Sequence, residues 1–203
     1  ASDRALSWLR VHWNLPAGMF VLKPLLRDSR QGEPQARAVG YALSWLTDHA
    51  GRVEADGVLS TLLERPDLDD RQRARIVEHA LAWLAIHGET PGAQYILRPL
   101  LRSSSSTWRC PLPDDQVATA VAYALGWLDE YATGKSARYL LGFLLYRADL
   151  PSDRQPEVVD VALAWLDVHG DSESANGVLT PLLKLSSLDD VSRRRAVEHA
   201  LSW

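Results

Sequence analysis

At 203 residues, with 46% hydrophobic and 24% charged side chains, the chain has an ordinary globular composition, which excludes intrinsic disorder. Its 22 Lys and Arg against 26 Asp and Glu leave a net charge of −4, so no global basic field is present to hold a phosphate backbone. The lone Cys110 excludes an internal disulfide framework and points to a reducing cytoplasm, and neither a run of roughly 20 apolar residues nor a basic-then-apolar leader is present.

From the N-terminus onward one five-residue signature recurs: Ala5-Leu6-Ser7-Trp8-Leu9, then the copies centred on Ser44, Ala82, Gly126 and Ala164, and the truncated Ala200-Leu201-Ser202-Trp203. The marker tryptophans Trp8, Trp45, Trp83, Trp127, Trp165 and Trp203 are separated by 37, 38, 44, 38 and 38 residues. Periods of 20 to 50 residues mean stacked arrays, because one repeat cannot bury its apolar face alone. The expected fold is all-α: a right-handed α-solenoid of about five helix-turn-helix repeats with a period of about 38 residues. A single array is expected over residues 1–203, with repeats at about 1–31, 32–68, 69–113, 114–151, 152–188 and a partial 189–203. The chain starts close to its first signature, stops inside its sixth and shows no polar outer face at either end. The full-length protein is therefore expected to continue in at least one direction.

The first and second repeats place histidine four residues after the tryptophan, as His12 and His49, and His87, Tyr131 and His169 follow in register. One member per repeat cannot converge on a metal ion. A histidine in a last helical turn instead bonds free carbonyls, complements the macrodipole and stacks over the tryptophan one turn back. No metal and no cofactor is expected. A second column, Tyr41, His79, Tyr123, Val161 and His199, reads as a partly buried packing position.

The third repeat shows the unit most clearly. Asp69 or Asp70 caps a helix from Arg71 to His87, whose stripe of Ile76, Val77, Ala80, Leu81 and Leu84 faces its neighbours, while Arg71, Gln72, Arg75 and Glu78 face solvent. Gly88 suits the left-handed position past the helix end, with similar punctuation at Asp189-Asp190 and Gly170, and partly at Pro151-Ser152-Asp153 and Gly134. A shorter helix follows from Gly92 to Leu101. Second helices carry Pro24, Pro99 or Pro181, with Thr61 and Phe143 in the other two, so a bend or early break is expected. That bend either sets the curvature of the array or is an ordinary kink. The acidic pairs Asp69-Asp70, Asp114-Asp115 and Asp189-Asp190 read as caps, and no phosphate loop, paired-cysteine motif or nucleophile elbow is present. The chain is not expected to be an enzyme.

Two positions of the second helix vary, four residues apart on one face: Met19 and Lys23, Asp56 and Ser60, Gln94 and Arg98, Arg138 and Gly142, Asn176 and Thr180. A third column alternates aromatic with glycine, as Phe20, Gly57, Tyr95, Tyr139 and Gly177, and could form pockets beside aromatic anchors. These columns are either a reading surface or simply a solvated face. The longer third-to-fourth junction spans Ser103 to Pro113, where Trp108 beside Arg109 is either a partner anchor or folds back on the array.

The helix-pair units, signature tryptophan and stacked leucines resemble the α-solenoid superfamily that includes tetratricopeptide and HEAT repeats. Trp followed directly by Leu, as in Trp83-Leu84, departs from the tetratricopeptide Trp-x-x-Leu-Gly pattern and its 34-residue unit. The near-identical copies are also similar to arrays appended to bacterial signalling ATPases. That resemblance implies binding of a trigger protein or restraint of an effector domain. The leading expectation is a protein-interaction or sensing scaffold that binds a partner protein, a peptide or a neighbouring domain through Lys23, Asp56, Gln94, Tyr95, Arg98, Trp108, Arg138, Tyr139 and Asn176. Single-stranded nucleic acid, read one base per repeat, is the less favoured alternative, disfavoured by the net charge and by Asp56. A spacer that self-associates head to tail through uncapped ends is the third. No membrane partner is expected.

Overall fold

The computed structural model describes residues 2–28, 32–102, 112–147, 150 and 153–202. Among these the fold is all-α, with 11 α-helices and no strand. The chain divides between Leu100 and Leu101 into two compact units. The first holds α1 (Ser2–His12), α2 (Gly18–Arg27), α3 (Glu33–His49), α4 (Asp56–Leu63), α5 (Asp70–His87) and most of α6 (Gln94–Leu101). The second holds α7 (Asp114–Tyr131), α8 (Ala137–Tyr146), α9 (Gln155–His169), α10 (Asn176–Lys184) and α11 (Asp190–Leu201).

Helices alternate long and short along each unit. In the first unit α1 packs on α3 and α3 on α5, while α2 packs on α4. In the second α9 packs on α11 and α8 on α10. The signature explains the long row. Ala42, Leu43, Trp45 and Leu46 are buried and Ser44 is exposed, and the copy around Gly126 repeats that pattern. Alanine lets the next helix approach, the leucines and tryptophan fill the space, and the middle residue faces water.

The tryptophans do more than fill volume. Trp45 Nε1 donates to Leu15 O at 2.9 Å, Trp83 Nε1 to Arg52 O at 2.8 Å and Trp165 Nε1 to Gly134 O at 3.1 Å. One turn later His49, His87 and His169 donate through Nε2 to Asn14 O, Gly51 O and Thr133 O at 2.8, 2.9 and 2.7 Å. Every acceptor lies in the turn of the preceding helix pair. Each ring also sits against its tryptophan, with centroids 4.8 Å apart at Trp45–His49 and 4.7 Å at Trp165–His169. The histidines thus tie one helix pair to the last, rather than satisfying their own helix end as expected.

Three local expectations are corrected. Gly88 and Gly170 follow their helices with φ of −58° and −54°, in the right-handed region. The chain keeps turning right-handed, and glycine at 170 serves close approach, since a Cβ there would lie 2.7 Å from Leu166 O and 3.0 Å from His199 Nδ1. Second, the prolines break nothing early. α2 runs three residues past Pro24 to Arg27, and α8, with Phe143 at the same place, ends equally far on at Tyr146. The ring comes only one turn and a half into each helix, so the hydrogen bond it removes is one near the helix start. Third, Asp69 forms a full capping box with Gln72, and Asp189 caps Val191 and Ser192, but Asp114 and Asp115 lie inside the first turn of α7, behind Pro113. Pro151 and Ser152 fall outside the described residues.

Arginines that no periodic pattern marks complete the short row. Arg65 is buried, donates from Nη1 to Leu26 O at 2.6 Å and pairs with Asp67. Arg147, buried two residues after its own leucine pair, donates to Leu101 O at 2.9 Å. Both place a cation on a carbonyl at the C-terminal end of a short helix, where the macrodipole is negative.

Candidate partner-binding groove

The short helices carry the variable columns, and the two units treat them differently. In the first unit the side chain of Lys23 on α2 lies over Gly57 on α4, at the place a Cβ would take. Asp56 starts α4, accepts from the Gly57 amide at 2.5 Å and reaches toward Gly92. The notch that glycine opens at 57 is therefore filled by the preceding helix. On α6, Tyr95 is exposed, Gln94 folds back to Pro91 O at 3.2 Å, and Arg98 is half-buried.

In the second unit the position of Lys23 is taken by Gly142 and that of Gly57 by Gly177. A Cβ on Gly142 would sit 2.9 Å from Gly177 O, so here α8 and α10 touch backbone to backbone. The hydrogen in place of that Cβ is directed at the one carbonyl that Pro181, four residues on, leaves without an N–H. A Cβ on Gly177 would meet nothing within 4 Å. Two missing side chains open a groove of about 770 Å³ between the helices.

One wall is a stripe of α8 and the turn before it: Lys135, Arg138, Tyr139, Phe143 and Tyr146. These recur at three- and four-residue steps, which is why one helix face presents them together. Tyr139 and Tyr146 are 38% and 58% exposed, unusual for large rings. The opposite wall is Ser172, Glu173, Ser174 and Asn176 at the start of α10. Arg138 is held in place: its Nη2 donates to Tyr139 Oη at 2.6 Å and its guanidinium lies 4.5 Å from that ring's centroid. Thr180 donates to Asn176 Oδ1 at 2.6 Å, which orients that amide.

Of the residues expected from sequence, the groove gathers Arg138, Tyr139 and Asn176. Lys23 lies against Gly57, Asp56 reaches toward Gly92, and Gln94, Tyr95 and Arg98 share α6, none of them in the lining of that groove. Trp108, with the Ser103–Pro113 junction up to residue 111, lies outside the described residues. Sequence reasoning passed over Lys135, Phe143, Tyr146 and Glu173. The aromatic spacing 139, 143, 146 was the available signal.

Among the described residues no three His, Cys, Asp or Glu side chains converge as metal ligands, and no helix is long and apolar enough to cross a membrane. Tyr41, His79, Tyr123, Val161 and His199 are all half-buried, as their column suggested. Burial pulls the His79 imidazole below its ordinary value, and the neighbouring Arg75 cation adds to the effect. Asp167 on α9 accepts from Arg195 at 2.9 Å and His199 at 3.1 Å on α11. No protein-family model, curated protein or solved structure matches the chain.

Proposed function

We propose that this chain is a protein-interaction module: a right-handed α-solenoid of about five helix pairs whose short-helix face docks a segment of another protein or of a neighbouring domain. The observation that carries the reading is the α8–α10 groove, where Gly142 stands in place of Lys23, the side chain that fills the notch at Gly57 in the first unit, and Gly177 keeps the glycine of position 57. Long helices packed on long, short on short, and tryptophan ties that reach 30 or 31 residues back are what stacked repeats require. Exposed tyrosines beside a fixed arginine are the residue types that dominate binding energy at interfaces. The role is binding in a reducing compartment, without catalysis.

Selection of a random dodecapeptide library on the immobilised chain tests this. Peptides should be enriched on the wild type and lost on Gly177→Leu, whose side chain enters the groove from a position with free space. Enrichment that survives Gly177→Leu would move the binding face elsewhere. A library without enrichment, beside firm retention of single-stranded oligonucleotide, would replace the reading with nucleic-acid binding.

A further inference from the structure

Building on that reading, we infer that the α8–α10 groove selects an acidic segment of its partner, with carboxylates placed on both sides of an apolar residue. The charge at the groove runs against the charge of the molecule. Lys135 and Arg138 stand at one end of the aromatic stripe, and at the other the Lys184 ammonium lies 6.0 Å from the Tyr146 ring. The lining thus sets two cations, Lys135 and Arg138, against one carboxylate, Glu173, and Lys184, which lines the adjoining cavity past Tyr146, adds a third cation at its end, in a chain whose net charge is −4. The cations are not engaged in ion pairs with the groove's own groups: Arg138 spends one of its five N–H donors on Tyr139 and keeps the rest for a ligand.

The distance between the charged ends sets the motif. From Arg138 to Tyr146 the helix rises on the order of 12 Å at 1.5 Å per residue, which an extended strand covers in about four residues. Tyr139 and Phe143 lie between, so an apolar side chain in the middle of the segment meets rings while carboxylates at its ends meet Lys135 and Arg138 on one side and Lys184 on the other. A nucleic-acid strand would need cations along its whole path. Instead the column that holds Arg138 carries Asp56 in the first unit, and the far wall carries Glu173.

The test is fluorescence anisotropy on the full chain with a labelled seven-residue peptide, two glutamates on either side of a leucine-containing apolar centre. Its glutamine twin, its lysine twin and a ten-nucleotide thymidine oligomer are titrated beside it. The acidic peptide should bind about tenfold more tightly than the glutamine twin, the size of a charge-assisted contact. Lys135→Gln with Arg138→Gln should erase that difference, and Gly177→Leu should abolish both interactions at an unchanged melting temperature. Equal binding of the three peptides, still lost in Gly177→Leu, would overturn the acidic preference and leave the interaction module standing. Preference for the oligonucleotide, acidic binding indifferent to Gly177→Leu, or no acidic binding up to about 1 mM would overturn it together with the groove as a peptide site.

Discussion

At the level of single residues, His79 shows how one member of a repeated column can carry a pH dependence. Its folded pKa lies below the ordinary histidine value because burial and Arg75 disfavour the imidazolium. In the window below that ordinary value, about 6.5, the unfolded chain binds more protons than the folded one. The stabilising contribution is thus complete above pH 6.5 and is lost as the pH falls through the folded value. Tyr41 and Tyr123 occupy the equivalent, half-buried place. His79→Tyr should therefore fold and should flatten the decline in melting temperature between pH 7 and pH 5, as thermal melts across that range would show. An unaltered slope would assign the acid sensitivity to other groups. The column itself was legible because its members repeat in step with the tryptophan. Arg65 and Arg147 were not, because the same place holds Asp28 and Leu185 in other repeats, and their role depends on a carbonyl of the previous short helix.

Among the elements, the short helices differ through their glycines, and glycine acts in two opposite ways. Gly126, in the middle of α7, is exposed and a Cβ there meets nothing within 4 Å. Gly126→Ala should raise stability by about 0.5–1 kcal/mol, the difference in helix propensity. Gly142 has the Gly177 carbonyl where its Cβ would go. Gly142→Ala should cost about 1–3 kcal/mol, since both partners are backbone and neither helix can yield alone. Urea unfolding of the pair of variants gives the signs directly, and a destabilising Gly126→Ala or a neutral Gly142→Ala would contradict the packing described for α7 or α8. The helices themselves, their number and the Asp69 cap followed from periodicity and local chemistry. The left-handed glycine turns did not appear, because the amides of Gly88 and Gly170 bond Leu84 O and Leu166 O, one helical turn back, and the chain keeps its right-handed turn. The groove was only partly legible: Arg138, Tyr139 and Asn176 stand out as varying positions, but nothing in a linear pattern says that Gly142 and Gly177 meet.

Over the molecule as a whole, each compact unit contains, among the described residues, two buried indoles, Trp45 and Trp83 in the first and Trp127 and Trp165 in the second. They are built-in reporters of local opening. In Gly142→Ala, exchange of the Trp165 indole hydrogen should accelerate roughly tenfold for each 1.4 kcal/mol lost, while that of Trp45 stays near its wild-type rate; nuclear magnetic resonance resolves the two. Equal acceleration at both would mean that the chain opens as one cooperative body. What the indoles hold has a further consequence. The acceptors of Trp45, Trp83 and Trp165 belong to Leu15, Arg52 and Gly134, and those of the histidines to Asn14, Gly51 and Thr133, six turn residues with little in common. Only main-chain oxygen is recognised, so a turn can change its side chains without losing its latch, and any helix pair with a tryptophan and histidine in register can follow any other. Such a joint is indifferent to the identity of its partner, which is the property a gene segment needs if it is to be duplicated, shuffled and diversified without being refitted each time.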